Sequence, residues 1–355
     1  MARLLVEVTR GDRVESRHRG SIAVVSSSGE LLWSFGDAGE FAFIRSAAKP
    51  FQLAPFVASG HFDAYDFPNP TESLAIMAAS HSGEDRHVRT VQAILRAGGL
   101  TRDVLACGTH APFDVETAQR LIRDGEPLTP LRHNCSGKHA AMALHAKAAG
   151  WPIETYWQPD HPVQQLALDT VALMSGVARS EIATATDGCG VVSFGMPIRG
   201  LALAFARLAD PGGVEDPVVR AAFERIRDAM MAHPELVGGR HDRLDTSLMK
   251  AVPGRLVSKA GMEALRGLAI LRGPRSGTHD DGPSGMAIKI EDGDGFDRGT
   301  WAASVEALRQ AGLLDGGALR QLARYHRPVT LDPHGRAAAE AIPEFELAPV
   351  GELIG

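Results

Sequence analysis

The chain has 355 residues, of which 44% are hydrophobic and 23% are charged. These proportions are close to average globular usage and exclude long-range disorder. With 37 basic and 43 acidic residues the formal net charge is −6, so the sequence lacks the basic surplus of a nucleic-acid-binding protein.

Cysteine usage and the N-terminal sequence both indicate a cytoplasmic protein. Three cysteines (Cys107, Cys135 and Cys189) are too few, and odd in number, for a disulfide framework. Residues 1–8 form only a brief apolar run that Glu7 interrupts, which is unlike a signal peptide. No stretch approaches 18 uncharged apolar residues, so we expect no membrane span.

Strand patterns occupy the two ends of the sequence. Residues 4–8 are rich in β-forming residues, and residues 22–35 predict a hairpin that turns at Ser28-Gly29. Strand patterns return after residue 255, where apolar residues alternate over positions 286–290.

The long middle of the sequence is mostly helical in pattern. Apolar residues at helical spacing, bounded by Pro at the start or Gly at the end, predict helices over residues 85–98, 162–176 and 217–233. Two further helices are predicted near residues 302–314 and 318–325.

This order of elements predicts an α+β fold rather than a repeated βαβ fold. Both strand sets are buried most simply in one sheet that joins the two ends of the chain. We therefore expect a single catalytic domain over residues 1–355. Its sheet would come from about residues 1–45 and 255–355, and a helical region would occupy about residues 46–254.

Ser46 and Lys49 form the first candidate catalytic motif, S-x-x-K. Three residues apart on a helix, the serine hydroxyl and the lysine amine share one face, so a neutral lysine could take the serine proton. A preceding strand would set Ser46 at a helix N-terminus, where backbone N–H groups can stabilise an oxyanion. Alone the motif is weak, because two surface residues on a helix would produce the same pattern.

Two later triplets make that motif more informative. Serine acyl enzymes with S-x-x-K also carry S-D-N and K-T-G elements further along the chain. The corresponding triplets here are Ser80-His81-Ser82 and Lys259-Ala260-Gly261, in the same order although with substitutions. Each triplet alone fits an ordinary loop, and the ordered set of three favours catalysis.

Two of the cysteines supply a candidate metal site. Cys135 and Cys189 both lie in segments that combine Gly with polar residues, as exposed loops do. Two thiolates with one or two further donors could hold zinc, and His139 is the residue type that chemistry alone would choose as a third ligand. The alternative is two unrelated buried thiols, since no C-x-x-C pair is present. Cys107 lacks comparable polar neighbours in the sequence, so we expect it to be a buried structural cysteine.

Five segments together resemble the Rhizobium-type (class 3) L-asparaginases, the asparaginase II family. They read RSAAKPFQ at residues 45–52, ASHSGE at 79–84, HNCSGKH at 133–139, TDGCG at 186–190 and SKAG at 258–261. The resemblance implies a fold similar to the serine β-lactamases and glutaminases. It also implies an amidohydrolase that converts L-asparagine to L-aspartate and ammonia.

The resemblance assigns a role to each catalytic candidate. Ser46 matches the nucleophile and Lys49 its base, while Ser80 and Lys259 match a second serine–lysine pair. Arg45 could bind the substrate α-carboxylate through two hydrogen bonds, although a surface arginine beside the active site is an equally good interpretation.

The resemblance also implies a zinc site and no organic cofactor. Cys135, Lys138 and Cys189 match the ligands, and Asp187 is expected beside the metal, where it would bind the metal's water or the substrate amine. A lysine ligand must be neutral, which requires a strong depression of its pKa. Zinc would orient the substrate, because a serine nucleophile makes a metal hydroxide redundant.

Two other functions remain open at this point. The first is a glutaminase or broad amidase, because glutamine is longer than asparagine by only one methylene. The second is a catalytically silent zinc or amino-acid sensor, which would need the same binding residues. We expect L-asparagine as a small-molecule partner and a homodimer, with neither a nucleic-acid nor a membrane partner. Residues 233–245 are unusually rich in basic side chains, and their role stays open.

Overall fold

The computed structural model describes residues 1–271, 282–295 and 297–350. The strands are β1 Arg3–Arg10, β2 Arg13–Ser26, β3 Leu31–Phe35, β4 Phe41–Phe43, β5 Ala183–Thr186, β6 Val192–Pro197, β7 Leu256–Ala260, β8 Leu265–Ile270, β9 Ser284–Ile290, β10 Val329–Leu331, β11 Ala337–Pro343 and β12 Ala348–Pro349. The helices are α1 Lys49–Ala58, α2 Pro70–Met77, α3 Asp85–Ala97, α4 Val115–Asp124, α5 Ser136–Ala148, α6 Pro162–Ser175, α7 Ile198–Ala209, α8 Pro217–Ala232, α9 Pro234–Val237, α10 Leu244–Ala251, α11 Arg298–Gln310, α12 Gly316–Gln321 and α13 Ala323–His326.

The chain divides into two compact units. The first comprises residues 1–47, 196–213 and 247–355, and the second comprises residues 48–195 and 214–246. The expectation of one catalytic domain over the whole chain stays a prediction.

The first unit contains an antiparallel sheet made from both ends of the chain. Its strand order is β10-β11-β1-β2-β9-β8-β7, and β3 pairs with both β2 and β12. In the centre, Ile22 of β2 lies opposite Ile288 of β9. The predicted α+β fold, with one sheet joining the two ends, is confirmed.

The centre of this sheet is covered on both faces. Residues 20–25 of β2 are all buried, and in β9 every residue except Lys289 is buried. Continuous burial of this kind requires packing on each side of the strand. Helix α7 packs on β2, β8 and β9, and α11 packs on β1, β9 and β11.

The second unit is mainly helical, and its helices begin where the sequence predicts. Asp216 accepts hydrogen bonds from Val218 N and Val219 N at the start of α8, and Pro217 occupies the first turn. Helix α1 packs against α5, α6 and α8. Strands β5 and β6 pair antiparallel. They lie inside residues 46–254, where the sequence predicted helices and no strand. In the described part of the chain, no helix has the length and apolarity needed to cross a bilayer.

Glu306 on α11 makes the first unit sensitive to acid. Burial alone would raise the pKa of Glu306, but hydrogen bonds from Arg309, His326 and Gln310 outweigh that effect and lower the pKa to about 2. A carboxylate with a depressed pKa stabilises the fold above its unfolded-state pKa and loses that contribution as the pH falls. We expect Glu306→Gln to reduce the free energy of unfolding by about 1–2 kcal/mol at pH 7, since partial solvation screens the pair.

Urea unfolding at pH 7 and near pH 3 tests this expectation. The difference between the wild type and Glu306→Gln should shrink at the lower pH, because near pH 3 Glu306 is already protonated in the unfolded state and its ionised contacts stabilise the fold less. A difference that is the same at both values would contradict the assignment.

Candidate active site

The residues singled out in the sequence are distributed over both units. Arg45, Ser46 and Lys259 belong to the first unit. The second unit contains the other candidates, namely Lys49, Ser80, Cys135, Lys138, Asp187 and Cys189.

Ser46 lies in a 3₁₀ turn, Arg45–Ala48, that follows strand β4 and leads into α1. Its side chain is almost completely buried, at 6% exposure, and Ala47 N donates to Ile44 O in the turn. Arg45 has a φ of 46°, a left-handed conformation that a non-glycine residue adopts at a cost. Such strain is concentrated at functional sites, which supports a role for this turn.

Lys259 is fully buried on the edge strand β7, where its Nζ donates to the backbone oxygen of Ala260 at 2.6 Å. The strand lies against the segment that precedes Ser46. A Cβ on Gly261 would be 2.9 Å from Ile44 O, so only glycine permits this approach without displacement. Within the first unit, the third position of the Lys259-Ala260-Gly261 triplet therefore contacts the backbone two residues before Ser46.

Lys49 begins α1 and is fully buried. Its Nζ donates to Ser80 Oγ at 2.9 Å, to Ala79 O at 2.5 Å and to Asn134 O at 3.3 Å. Three acceptors at this spacing hold the amine in one place. The second unit thus brings Lys49 and Ser80 into direct contact, whereas the sequence paired Lys49 with Ser46 and Ser80 with Lys259. Those two pairings stay predictions.

Two effects oppose each other at Lys49: burial favours the neutral amine, whereas donation to all three acceptors requires the ammonium, because a neutral amine has only two N–H groups. Burial lowers the pKa of Lys49, and the charge of Cys135 opposes that shift only in part. A lysine with a depressed pKa can accept a proton from a hydroxyl near neutral pH.

Cys135 and Cys189 come together in the second unit, and both are buried rather than exposed in loops. Cys135 immediately precedes α5, and Cys189 lies in the turn between β5 and β6. A hydrogen bond between the two cysteines lowers the pKa of Cys135, whereas the same bond and burial raise the pKa of Cys189. Their burial follows from packing, because α5 is enclosed by α1, α2, α3 and α6 despite its polar beginning.

Lys138 joins this pair from the first turn of α5. Its Nζ lies 3.0 Å from Cys189 Sγ. Burial would lower the pKa of Lys138, but the adjacent Cys189 and Cys135 raise it, so without a metal the amine stays an ammonium. A bound dication would reverse that electrostatic balance. His139 Nδ1 lies 2.7 Å from Tyr156 Oη.

Asp187 lies next to Cys189 in the same turn. Its Oδ2 is 3.6 Å from Cys189 Sγ, and its Oδ1 accepts a hydrogen bond from Gly188 N at 2.8 Å. The short turn between β5 and β6 therefore presents a carboxylate and a thiol together.

These side chains are chemically suited to zinc. Two buried sulfurs and one amine nitrogen match the sulfur and nitrogen donors that Zn²⁺ prefers. Among the described residues, no group of three or more His, Cys, Asp or Glu side chains is arranged as a metal site. Cys135, Cys189 and Lys138 are not a group of that kind, because one of the three is a lysine.

The sequence did not single out two groups that the structure places at this site. Asn134 contributes its backbone oxygen to Lys49, and Arg243 donates to Ser80 O at 2.7 Å. Arg243 lies in the basic segment whose role was open, and that excess of positive charge was the available signal. His81, also buried, holds its Nε2 2.9 Å from Ser136 Oγ.

The structure places a buried serine–lysine contact beside two cysteines, and a family comparison adds to this geometry. The family model described as L-asparaginase II matches residues 6–342. The chain therefore belongs to the L-asparaginase II family, as its motifs suggested. Membership in this family supports an amidohydrolase activity.

Several solved structures are similar to the chain at low identity. A Bacillus subtilis glutaminase, YbgJ, in a covalent complex with 5-oxo-L-norleucine is 14% identical, with 84% of this chain and 89% of that chain covered and a TM-score of 0.38. A Bacillus glutaminase is 12% identical, with 83% and 91% covered and a TM-score of 0.40. Mglu, in its tris and glutamate form, is 16% identical with a TM-score of 0.36. The match covers 85% of this chain and 61% of the Mglu chain. No match was found among curated proteins.

Proposed function

We propose that the protein hydrolyses L-asparagine to L-aspartate and ammonia through a serine acyl-enzyme. The observation that carries the proposal is the buried contact between Lys49 and Ser80, in a chain whose family membership extends over residues 6–342. A lysine enclosed in this way, with its pKa lowered by burial, is suited to move protons during acyl transfer.

The first step is the attack of Ser46 Oγ on the side-chain amide carbon of asparagine. A bond forms between these atoms, and the serine proton passes to the neutral Nζ of Lys49. The negative charge that develops on the amide oxygen is stabilised by backbone N–H groups, including that of Ser46.

The second step breaks the carbon–nitrogen bond and releases ammonia. The departing nitrogen takes up a proton that Ser80 relays, and the 2.9 Å bond from Lys49 Nζ to Ser80 Oγ supports this route. The proton delivered is the one that Lys49 received from Ser46, and Lys259 is proposed to take part in its relay with Ser80, so that Lys49 is neutral again when ammonia leaves. Water then adds to the ester carbon, aspartate leaves, and Ser46 regains its proton.

Two side chains are proposed to orient the substrate. Arg45 would bind the α-carboxylate through paired hydrogen bonds, and Asp187 would bind the α-amino group. The left-handed backbone of Arg45 supports the first assignment, and the position of Asp187 in a tight turn beside Cys189 supports the second.

Cys135, Lys138 and Cys189 would hold a zinc ion. The ion would supply a fixed positive charge and one exchangeable position with which to orient the substrate or its water. Release of the Lys138 proton would accompany binding, because an ammonium has no lone pair to donate.

The assay that tests this proposal compares asparagine, glutamine and a chromogenic β-lactam on one enzyme preparation. Contacts to both α-groups of the substrate determine how far its side-chain amide reaches. One extra methylene changes the free energy of discrimination between substrates by about 1–3 kcal/mol. We therefore expect kcat/KM for asparagine to exceed that for glutamine by about tenfold or more. Equal values would make the protein a broad amidase, and saturable binding of asparagine without ammonia release would make it a sensor. The cytoplasmic location and the homodimer stay predictions.

A further inference from the structure

The basic segment, residues 233–245, packs around the residues that follow α2 within the second unit. Arg240 donates through its backbone N and its Nε to the two carboxylate oxygens of Glu84, at 2.8 and 2.7 Å. His241 Nδ1 lies 3.0 Å from Asp114 Oδ1. The two arginines of this segment are therefore directed at acceptors in residues 80–84, and His241 is directed at Asp114.

The segment makes hydrogen bonds to both backbone polar groups of Ser80. Its backbone N–H donates to Val237 O at 3.1 Å, and its backbone oxygen accepts from Arg243 Nη2 at 2.7 Å. The remaining polar atom, Ser80 Oγ, accepts from Lys49 Nζ. The segment thus determines the backbone position of Ser80, while Lys49 determines the orientation of its hydroxyl.

Arg243 is itself held by several contacts. Its Nη1 donates to Ser82 Oγ at 3.1 Å, and Ser82 Oγ donates onward to Gly238 O at 3.0 Å. Its guanidinium lies over the ring of Phe113 at 5.6 Å from the centroid. A planar group held at both nitrogens and on one face keeps a single orientation.

Close packing of the segment depends on Gly239. Its φ is 148°, and a Cβ there would be 2.3 Å from Ser82 Oγ and 2.9 Å from Glu84 Oε1. A side chain at this position would therefore push the segment away from Ser82. The hydrogen bond from Arg243 to Ser82 would be disturbed as well.

We propose that Arg243 is a positioning residue for the reaction, which holds the Ser80 peptide where Lys49 can engage its hydroxyl. The inference rests on the proposed function, because Ser80 must take part in the chemistry for its position to matter. Loss of the guanidinium leaves the Ser80 carbonyl without this charged donor and lets the peptide rotate. A shift of about 1 Å in a reacting group costs about 100-fold in rate.

The test compares Arg243→Met and Arg243→Lys with a matched control, Arg240→Met. The control removes the same charge from the same segment, and its backbone bond to Glu84 is retained. We expect Arg243→Met to lower kcat for asparagine by about 10- to 100-fold with KM within about threefold, and Arg240→Met to stay within about twofold of wild type. Arg243→Lys should be intermediate, and guanidinium ion at a non-denaturing concentration should restore part of the Arg243→Met activity.

Hydrogen exchange of the peptide that contains Ser80 and Ser82 supplies a readout that does not require activity. Exchange should be faster in Arg243→Met than in wild type and unchanged in Arg240→Met. If the wild type hydrolyses no amide, the proposed function fails, and the exchange result alone decides whether Arg243 holds Ser80. Faster exchange with unchanged kcat, or unchanged exchange in Arg243→Met, would overturn the inference.

Discussion

Ser46→Ala is expected to lower ammonia release from asparagine by at least about 10³-fold while the protein stays folded. The reason is that no other group is proposed to form the bond to the amide carbon, so the acyl-enzyme cannot arise. The side chain is small and nearly buried, at 6% exposure, so its loss should leave packing almost unchanged. The measurement is initial-rate ammonia release, with circular dichroism to verify folding.

Ser28→Ala is a matched control for this experiment. Ser28 lies in the turn between β2 and β3 and hydrogen-bonds Ser26, so the same atom is removed from a position outside the proposed site. The control should stay within about twofold of wild type. If purified Ser46→Ala retained more than a few per cent of the wild-type rate, Ser46 would not be the nucleophile. Lys49→Met should be inactive as well, because it removes the proton acceptor and the bond to Ser80.

The second large effect is expected at the cysteines. Cys135→Ser and Cys189→Ser should each lose most of the bound zinc, since each removes one of two thiolate donors. The KM for asparagine should rise by about tenfold or more, with a smaller change in kcat, because the ion is proposed to orient the substrate and not to form the nucleophile. Elemental analysis of protein purified without chelator measures occupancy, and steady-state kinetics measures the consequence.

Cys107→Ser is the control that the chain itself offers. Cys107 is also buried, and its Sγ lies 3.8 Å from Pro130 O. Burial raises the pKa of Cys107 to about 12, and Cys107 matches none of the proposed ligand positions. This variant should keep full zinc occupancy and an unchanged KM. Full occupancy in a Cys135→Ser, Cys189→Ser double variant would show that the metal binds elsewhere.

The helices of the second unit were predictable because their signals are local. Asp216-Pro217 begins α8 and Gly176 follows the end of α6, as the capping preferences of these residue types predict. The alternation over residues 286–290 correctly predicted strand β9. In the sheet both faces of this strand are covered, because neighbouring helices pack on both sides.

The exposed loop that the sequence predicted around Cys135 was wrong, because residues 133–139 are all buried. Cys189 does lie in a turn with Gly188 exposed, although its own side chain is buried. Gly and polar residues next to each cysteine are typical of loops. Here the polar groups are satisfied internally, as with Cys135 N donating to His133 Nδ1 at 3.0 Å and Ser136 Oγ donating to Leu131 O at 3.0 Å. Once such groups are hydrogen-bonded, their burial costs little.

By itself, the sequence determined the α+β class, the element order, the family and the residue types that can carry the chemistry. Each of these follows from short patterns or from motifs in a particular order. Only the tertiary structure decided which acceptors surround the amine of Lys49, that Lys138 and not His139 contacts Cys189, and that Arg243 holds Ser80. Those contacts join residues up to 163 positions apart, and burial and hydrogen-bond partners at such separations depend on packing that no local pattern encodes.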